Sequence, residues 1–319
     1  MGITFQPYPD GYAGNGYTIF GPIVTTGKTF FVSSASGTAK DDSSHGSDQR
    51  YPWATLAYAL GNTHNKLTAN NGDVVVVMPN HAETVTGVGG LACSLAGVTV
   101  IGLGTFNQRP RFLMDGGTTV TFAVSGADFN IQNCVFASGH ASVVTCFAVT
   151  AAGFTAVGLE FENNTTNENF LTCIKATSTT DNNADGMRVL NCRWVTSDSD
   201  DLEMIEINAN LSRCEIADNV MISAGTASPL VLVATGKILT GAWVARNTVV
   251  NAMTANELFI SMDGTTSTGA FVDNRIGHAD VTTTHDAGWE GKGFRLFNNL
   301  SVSVDNLSGF VLPAIDVNL

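Results

Sequence analysis

An eight-residue frame recurs along this chain and limits its fold more than any other feature of the sequence. Phe129-Asn-Ile131-Gln-Asn133-Cys134-Val-Phe136 aligns position for position with Phe154-Thr-Ala156-Val-Gly158-Leu159-Glu-Phe161 and Met187-Arg-Val189-Leu-Asn191-Cys192-Arg-Trp194. The frame continues through Cys214-Glu-Ile216-Ala-Asp218-Asn219-Val-Met221, Ala242-Trp-Val244-Ala-Arg246-Asn247-Thr-Val249 and Gly269-Ala-Phe271-Val-Asp273-Asn274-Arg-Ile276. A weaker copy starts at Phe294, and Val98-Thr-Val100-Ile-Gly102-Leu103 echoes it upstream. Its fifth position falls at residues 133, 158, 191, 218, 246, 273 and 298, in steps of 25, 33, 27, 28, 27 and 25. Each unit reads as an alternating strand, a tight polar corner and a second short strand ending on a bulky apolar residue. Such a unit cannot bury its inner face alone, so successive coils must stack to make a core. The prediction is an all-β, single-stranded parallel β-helix of about eight or nine coils.

The sixth position of the frame supports the stacking. It is occupied by Cys134, Leu159, Cys192, Asn219, Asn247, Asn274 and Asn299, so four asparagines are expected to form a ladder of side-chain amides along successive corners. Upstream, Pro52 to Leu60 has apolar residues at helical spacing and predicts a capping helix of about ten residues. The continuous apolar run Gly72 to Pro79 reads as the first buried parallel strand. The expected organisation is an extended N-terminal arm over 1–27, and a first strand, polar loop and capping helix over 28–71. The β-helix then spans 72–307, with a C-terminal tail over 308–319. The arm carries Phe5, Tyr8, Tyr12, Tyr17 and Phe20 with a single carboxylate, Asp10, which suits docking on a partner better than a solvated tail.

Charge and motif patterns narrow the function. The chain holds 28 Asp and Glu against 15 Lys and Arg, a net charge of −13, which would repel a phosphate backbone, so no nucleic-acid partner is expected. No run approaches the ~20 apolar residues of a membrane span, and no basic-then-apolar leader is visible at Met1 to Gln6, so no membrane partner is expected. Six cysteines lie far apart and His45, His64, His81, His140, His278 and His285 are scattered, so no metal and no cofactor are expected, and the cysteines read as buried free thiols. The best local acid cluster is Asp198-Ser-Asp200-Asp201, where Asp198, Asp200 and Asp201 could share a cation or a proton; the plainer reading is a solvated turn. Asp218 and Asp273 flank Arg246 in one column and read as a self-neutralised surface ladder, while Glu160 and Glu162 find no matching acid in adjacent frames.

The corner asparagines and the coil length resemble the right-handed parallel β-helix of the pectate-lyase-like superfamily, over about residues 98 to 301. Gly27 to Val32, the Asp/Ser/Gly loop to Asp48, Pro52 to Leu60, Gly72 to Pro79 and Gly97 to Gly104 are similar, in order and spacing, to β-helical virion proteins of tailed bacteriophages. That resemblance implies a right-handed coil and a phage structural role, most like a head decoration (cement) protein. It would be a homotrimer that assembles in the host cytoplasm and binds the major capsid protein on the outer capsid surface without enzymatic activity. The alternative is a tailspike or fibre protein that binds or degrades a glycan, with Asp198, Asp200 and Asp201 as its acids. A glycan-binding module without turnover is the third class.

Overall fold

A parallel coil must turn sharply between strands, and here each turn rests on one residue in the left-handed region. In the computed structural model Asn133, Gly158, Asn191, Asp218, Arg246, Asp273 and Asn298, the fifth position of every frame, have φ between 49° and 61°. Asparagine, aspartate and glycine tolerate that conformation best, which explains why they dominate the column. The structure describes residues 4–5, 24–163, 165, 168–177, 184–196, 200, 202–224, 230–251, 260–262, 267–278, 293–303 and 306–312.

The strands stack into three long sheets. Sheet one has ten parallel strands, running from Thr29–Val32 and Val74–Val77 at one end to Gly269–Val272 and Phe294–Phe297 at the other. Sheet two also has ten, from Ala82–Val85 to Asn299–Ser303 and a final antiparallel strand, Asn306–Leu312. Sheet three has seven, from Leu91–Cys93 to Ile260–Met262. The architecture is therefore an all-β parallel solenoid with almost no helix. Rungs with a strand on every face make about six full turns, fewer than the eight or nine coils expected. The difference arises because the repeating frame follows sheet one, which extends past sheet three at both ends.

Inward positions interlock from rung to rung. Phe112, Phe136, Phe161, Trp194, Met221 and Val249 occupy one register column of sheet two, with ring centroids 5.2 Å apart for Phe112 and Phe136 and 6.2 Å for Phe136 and Phe161. Phe122 and Phe147 of sheet three stack at 4.9 Å against this column. All these side chains are fully buried, and each contributes on the order of 2 kcal/mol of apolar burial. At the Gly102 corner rungs approach closely enough to demand glycine: a Cβ there would lie 2.4 Å from the Asn133 carbonyl oxygen, and Asn133 Nδ2 donates to the Gly102 carbonyl at 2.8 Å.

Four asparagines run through the corners as a buried chain of hydrogen bonds. Asn247 Oδ1 accepts from the backbone N–H of Asn219 at 3.0 Å and from Asn219 Nδ2 at 2.9 Å. Asn247 Nδ2 in turn donates to Asn274 Oδ1 and to the Ile216 carbonyl, each at 2.9 Å. Asn274 makes the same set to Asn299 and Val244, and the Cys192 N–H donates to Asn219 Oδ1 at 2.9 Å, so the chain of bonds spans five rungs. Asn219, Asn247, Asn274 and Asn299 are 0% exposed.

The N-terminal end departs from the sequence expectation. The helix is Leu56–Gly61, six residues rather than about ten. Thr55 caps its start by accepting from the Tyr58 N–H at 3.1 Å, and Asn62, with φ 49°, stops it in the left-handed region. Its Leu56, Ala59 and Leu60 join the core, packed beside Leu91–Cys93, the edge strand of sheet three. Asp41 accepts from the Ala54 and Thr55 N–H groups, and Glu83 from those of Leu56 and Ala57, so two carboxylates fill the donors at the helix start. His81, buried beside Glu83, accepts from the Ser34 N–H on Nδ1 and faces Glu83 Oε2 with Nε2 at 3.1 Å. In the arm, the backbone of Thr4–Phe5 pairs antiparallel with Val24–Thr25. The expected tail from 308 instead begins inside the strand Asn306–Leu312.

Replacing Asn247 with leucine should lower stability by about 3–5 kcal/mol, because it orphans the Asn219 N–H, the Asn219 amide and the Ile216 carbonyl at once. Urea denaturation checks this, and a loss below about 1 kcal/mol would contradict a cooperative ladder.

Candidate functional site

Several charged side chains on the outside of the solenoid pair across one or two rungs. On sheet two Glu160 receives Arg109 at 2.9 Å from one side and Arg193 at 2.7 Å from the other, and Arg111 pairs with Glu162. Arg109 also donates to the Cys134 and Gly158 carbonyls at 3.0 and 3.2 Å, tying side chains to two corners. Glu160 and Glu162, which lacked an acidic neighbour in the sequence, are thus matched to arginines. Arg246 holds Asp218 through two bonds of 2.7 and 2.6 Å, which pulls the aspartate below its ordinary range, while Asp273 accepts from Asn298 Nδ2 at 2.5 Å. Arg188 with Glu215 at 2.8 Å and Lys175 with Glu206 at 2.6 Å complete the described inter-rung pairs on sheets one and three.

One carboxyl group differs from these. Glu203 opens the strand Glu203–Asn208 of sheet three, is 3% exposed, and receives the Thr172 hydroxyl at 2.5 Å from its register partner on the rung before. Thr145, also buried, precedes Thr172 in the same column. Burial pushes the Glu203 carboxyl up to about 7, Glu206 adds to the rise, and the Thr172 bond and Lys175 oppose it. A carboxyl raised in this way has the ionisation range of a general acid. Glu203 was not singled out in the sequence, because the Thr172 contact that buries it comes from 31 residues away.

Of the acids singled out in the 198–201 turn, one is described. Asp200 is exposed and lies between Arg193–Val195 and Glu203–Asn208, while Asp198 and Asp201 lie outside the described residues. Of the aromatic anchors in the arm, Phe5 is described through its backbone in the strand Thr4–Phe5, and Tyr8, Tyr12, Tyr17 and Phe20 lie outside the described residues. All six cysteines are buried free thiols, and desolvation pushes Cys93 up to about 11 and Cys134, Cys192 and Cys214 up to about 12. Among the described residues no group of three or more His, Cys, Asp or Glu could hold a metal ion, and no helix is long and apolar enough to cross a membrane. No family model, no curated protein and no solved structure matches the chain.

A raised folded-state value makes Glu203 favour folding at low pH. Its contribution is complete below the ordinary value of 4.5 and is lost as pH rises through about 7, a change on the order of 3 kcal/mol. The difference in unfolding free energy between the natural protein and Glu203→Gln should therefore shift by that amount between pH 4 and pH 8. A difference that stays constant with pH would show that Glu203 titrates normally.

Proposed function

We propose that this chain is a non-enzymatic decoration protein of a tailed-phage capsid, which binds the major capsid protein on the outer surface as a homotrimer and stabilises the shell. The observation that carries the reading is the use made of the charged side chains. Glu160, Glu162, Asp218, Glu215 and Glu206 are bound to basic groups one or two rungs away. Asp41, Asp73, Glu83 and Asp185 accept from backbone N–H groups that would otherwise be unpaired. Side chains spent on holding rungs and corners make a stiff rod, and stiffness is what a shell-locking subunit needs. The N-terminal motifs that resemble phage virion proteins supply the setting, and the aromatic arm supplies the attachment.

A ligand that binds only the assembled lattice stabilises it by mass action, by about 2.7 kcal/mol at a hundredfold excess over its dissociation constant. Purified protein added to capsids that lack it should bind saturably and raise the temperature at which the shells open. Deleting residues 1–27 should abolish that binding while leaving the solenoid's thermal unfolding in place. Full binding by the truncated chain would overturn the role given to the arm, and no binding by the intact chain would overturn the decoration reading.

Glu203 favours a second reading, a tailspike or fibre protein that cleaves a glycan with Glu203 as proton donor and an acid of the 198–201 turn as its partner. That reading requires polysaccharide cleavage by the natural protein and its loss in both Glu203→Gln and Asp200→Asn. Absence of cleavage across a panel of host polysaccharides would dismiss it.

A further inference from the structure

Fourteen described residues other than glycine have a positive φ; thirteen are polar, mostly asparagine and aspartate, and the other is Phe106 at 51°. A bulky side chain on a left-handed backbone is strained, and such strain persists only where the surroundings hold it. They hold it here from both sides. The Asn80 N–H donates to the Gln108 carbonyl at 2.8 Å from the rung before, and Asn133 Nδ2 donates to the Gly104 carbonyl at 3.0 Å from the rung after. Within the loop the Gln108 N–H closes on the Thr105 carbonyl at 3.0 Å, and a Cβ on Gly104 would lie 2.5 Å from the Gln108 carbonyl oxygen. The ring so held is 88% exposed, more than any other large apolar side chain among the described residues.

The solenoid does not need this loop in order to turn. Between Thr99–Gly102 of sheet one and Arg111–Met114 of sheet two the chain uses eight residues, 103–110. Two suffice at the equivalent corners that follow: Asn133-Cys134 joins Asn130–Gln132 to Val135–Ser138, and Gly158-Leu159 joins Thr155–Val157 to Glu160–Asn163. Burial does not account for the ring either, since no residue of the short turn Phe106–Gln108 is buried. A strained, clamped and solvent-facing aromatic that serves neither the turn nor the core is preorganised for a partner.

Shape and charge select the kind of partner. A single convex phenylalanine buries its area, about 150–250 Å² for an aromatic residue, only in a concave apolar pocket. Residues 103–108 carry no charge, and the next residue, Arg109, is turned back onto Glu160 and the Cys134 and Gly158 carbonyls, so the loop offers no cation to a phosphate. Position agrees with the attachment already proposed. The arm leads into sheet one at Thr29–Val32, and the loop leaves that sheet at Thr99–Gly102, two rungs or about 10 Å further along the axis. Val88 and Tyr51, at 75% and 51% the next most exposed large apolar side chains described, belong to the same first rungs. We infer that Phe106 is a second anchor, separate from the arm, which inserts into an apolar pocket of the capsid protein. The inference rests on the decoration reading for the identity of that partner.

Capsids that lack this protein, titrated with the natural chain and with Phe106→Asn, provide the test. Asparagine accepts the left-handed backbone, so the variant should unfold at the same temperature as the natural protein or higher, while its affinity for capsids falls about 30-fold, as expected for loss of a buried aromatic anchor. Phe106→Leu, which still fills an apolar pocket, should recover part of that affinity, and its failure to do so would overturn the pocket. Unchanged affinity in Phe106→Asn would overturn the anchor and leave the decoration reading standing. No binding by the natural protein would overturn both. A lower unfolding temperature for Phe106→Asn would show that the ring serves the fold, which also overturns the inference. Loss of binding to a host polysaccharide, with capsid binding intact, would assign the ring to a sugar instead and dismiss the pocket on the capsid protein.

Discussion

A coil that reverses direction inside a stack leaves corner N–H and carbonyl groups facing a dry interior, and each of them must find a partner. Here that requirement is met by pairing two adjacent residues of different kinds: one in the left-handed conformation that makes the turn, and one whose side chain points inward beneath it. From Asn219 onward the inward residue is an asparagine, with just the donors and acceptor needed to bond the corner before it and the corner after it. The first corners are built differently. Gly102 is followed by a longer connection containing the short 3-10 turn Phe106–Gln108, and Cys134, Leu159 and Cys192 fill the interior without an amide. Apolar packing, dominated by the phenylalanine column from Phe112 to Phe161, occupies the half of the rod where the ladder is missing. Two physical solutions thus follow one another along a single solenoid.

This division explains what could be read in advance. Left-handed corners and inward amides restrict residue type strongly, so the frame at 133, 158, 191, 218, 246, 273 and 298 stood out in the sequence, and the alternation of the flanking strands gave the sheets. Helix length at the N-terminus was not legible, because the stop at Asn62 depends on a backbone conformation rather than on a break in hydrophobic spacing. Glu203 was hidden for a related reason. No local motif marks it, and its register partner Thr172 belongs to the previous coil. Contacts between coils are separated by 25 or more residues, so any site they form is invisible to local patterning.

The outer surface shows a division of labour among the faces. Sheet two carries arginine and glutamate pairs that tie rungs together, and sheet three holds the buried carboxyl of Glu203, raised to about 7. Exposed ion pairs add little to stability one by one, yet those that cross rungs resist unwinding of the stack. The proposed decoration of a capsid follows from that division together with the phage-like motifs of the N-terminal third.

Quantitative mass spectrometry of purified virions tests that account most directly, by giving the copy number of this protein relative to the major capsid protein. A fixed ratio in proportion to the capsid lattice is the result the account predicts. A count of only a few trimers per particle, as at a tail or a single vertex, would contradict it.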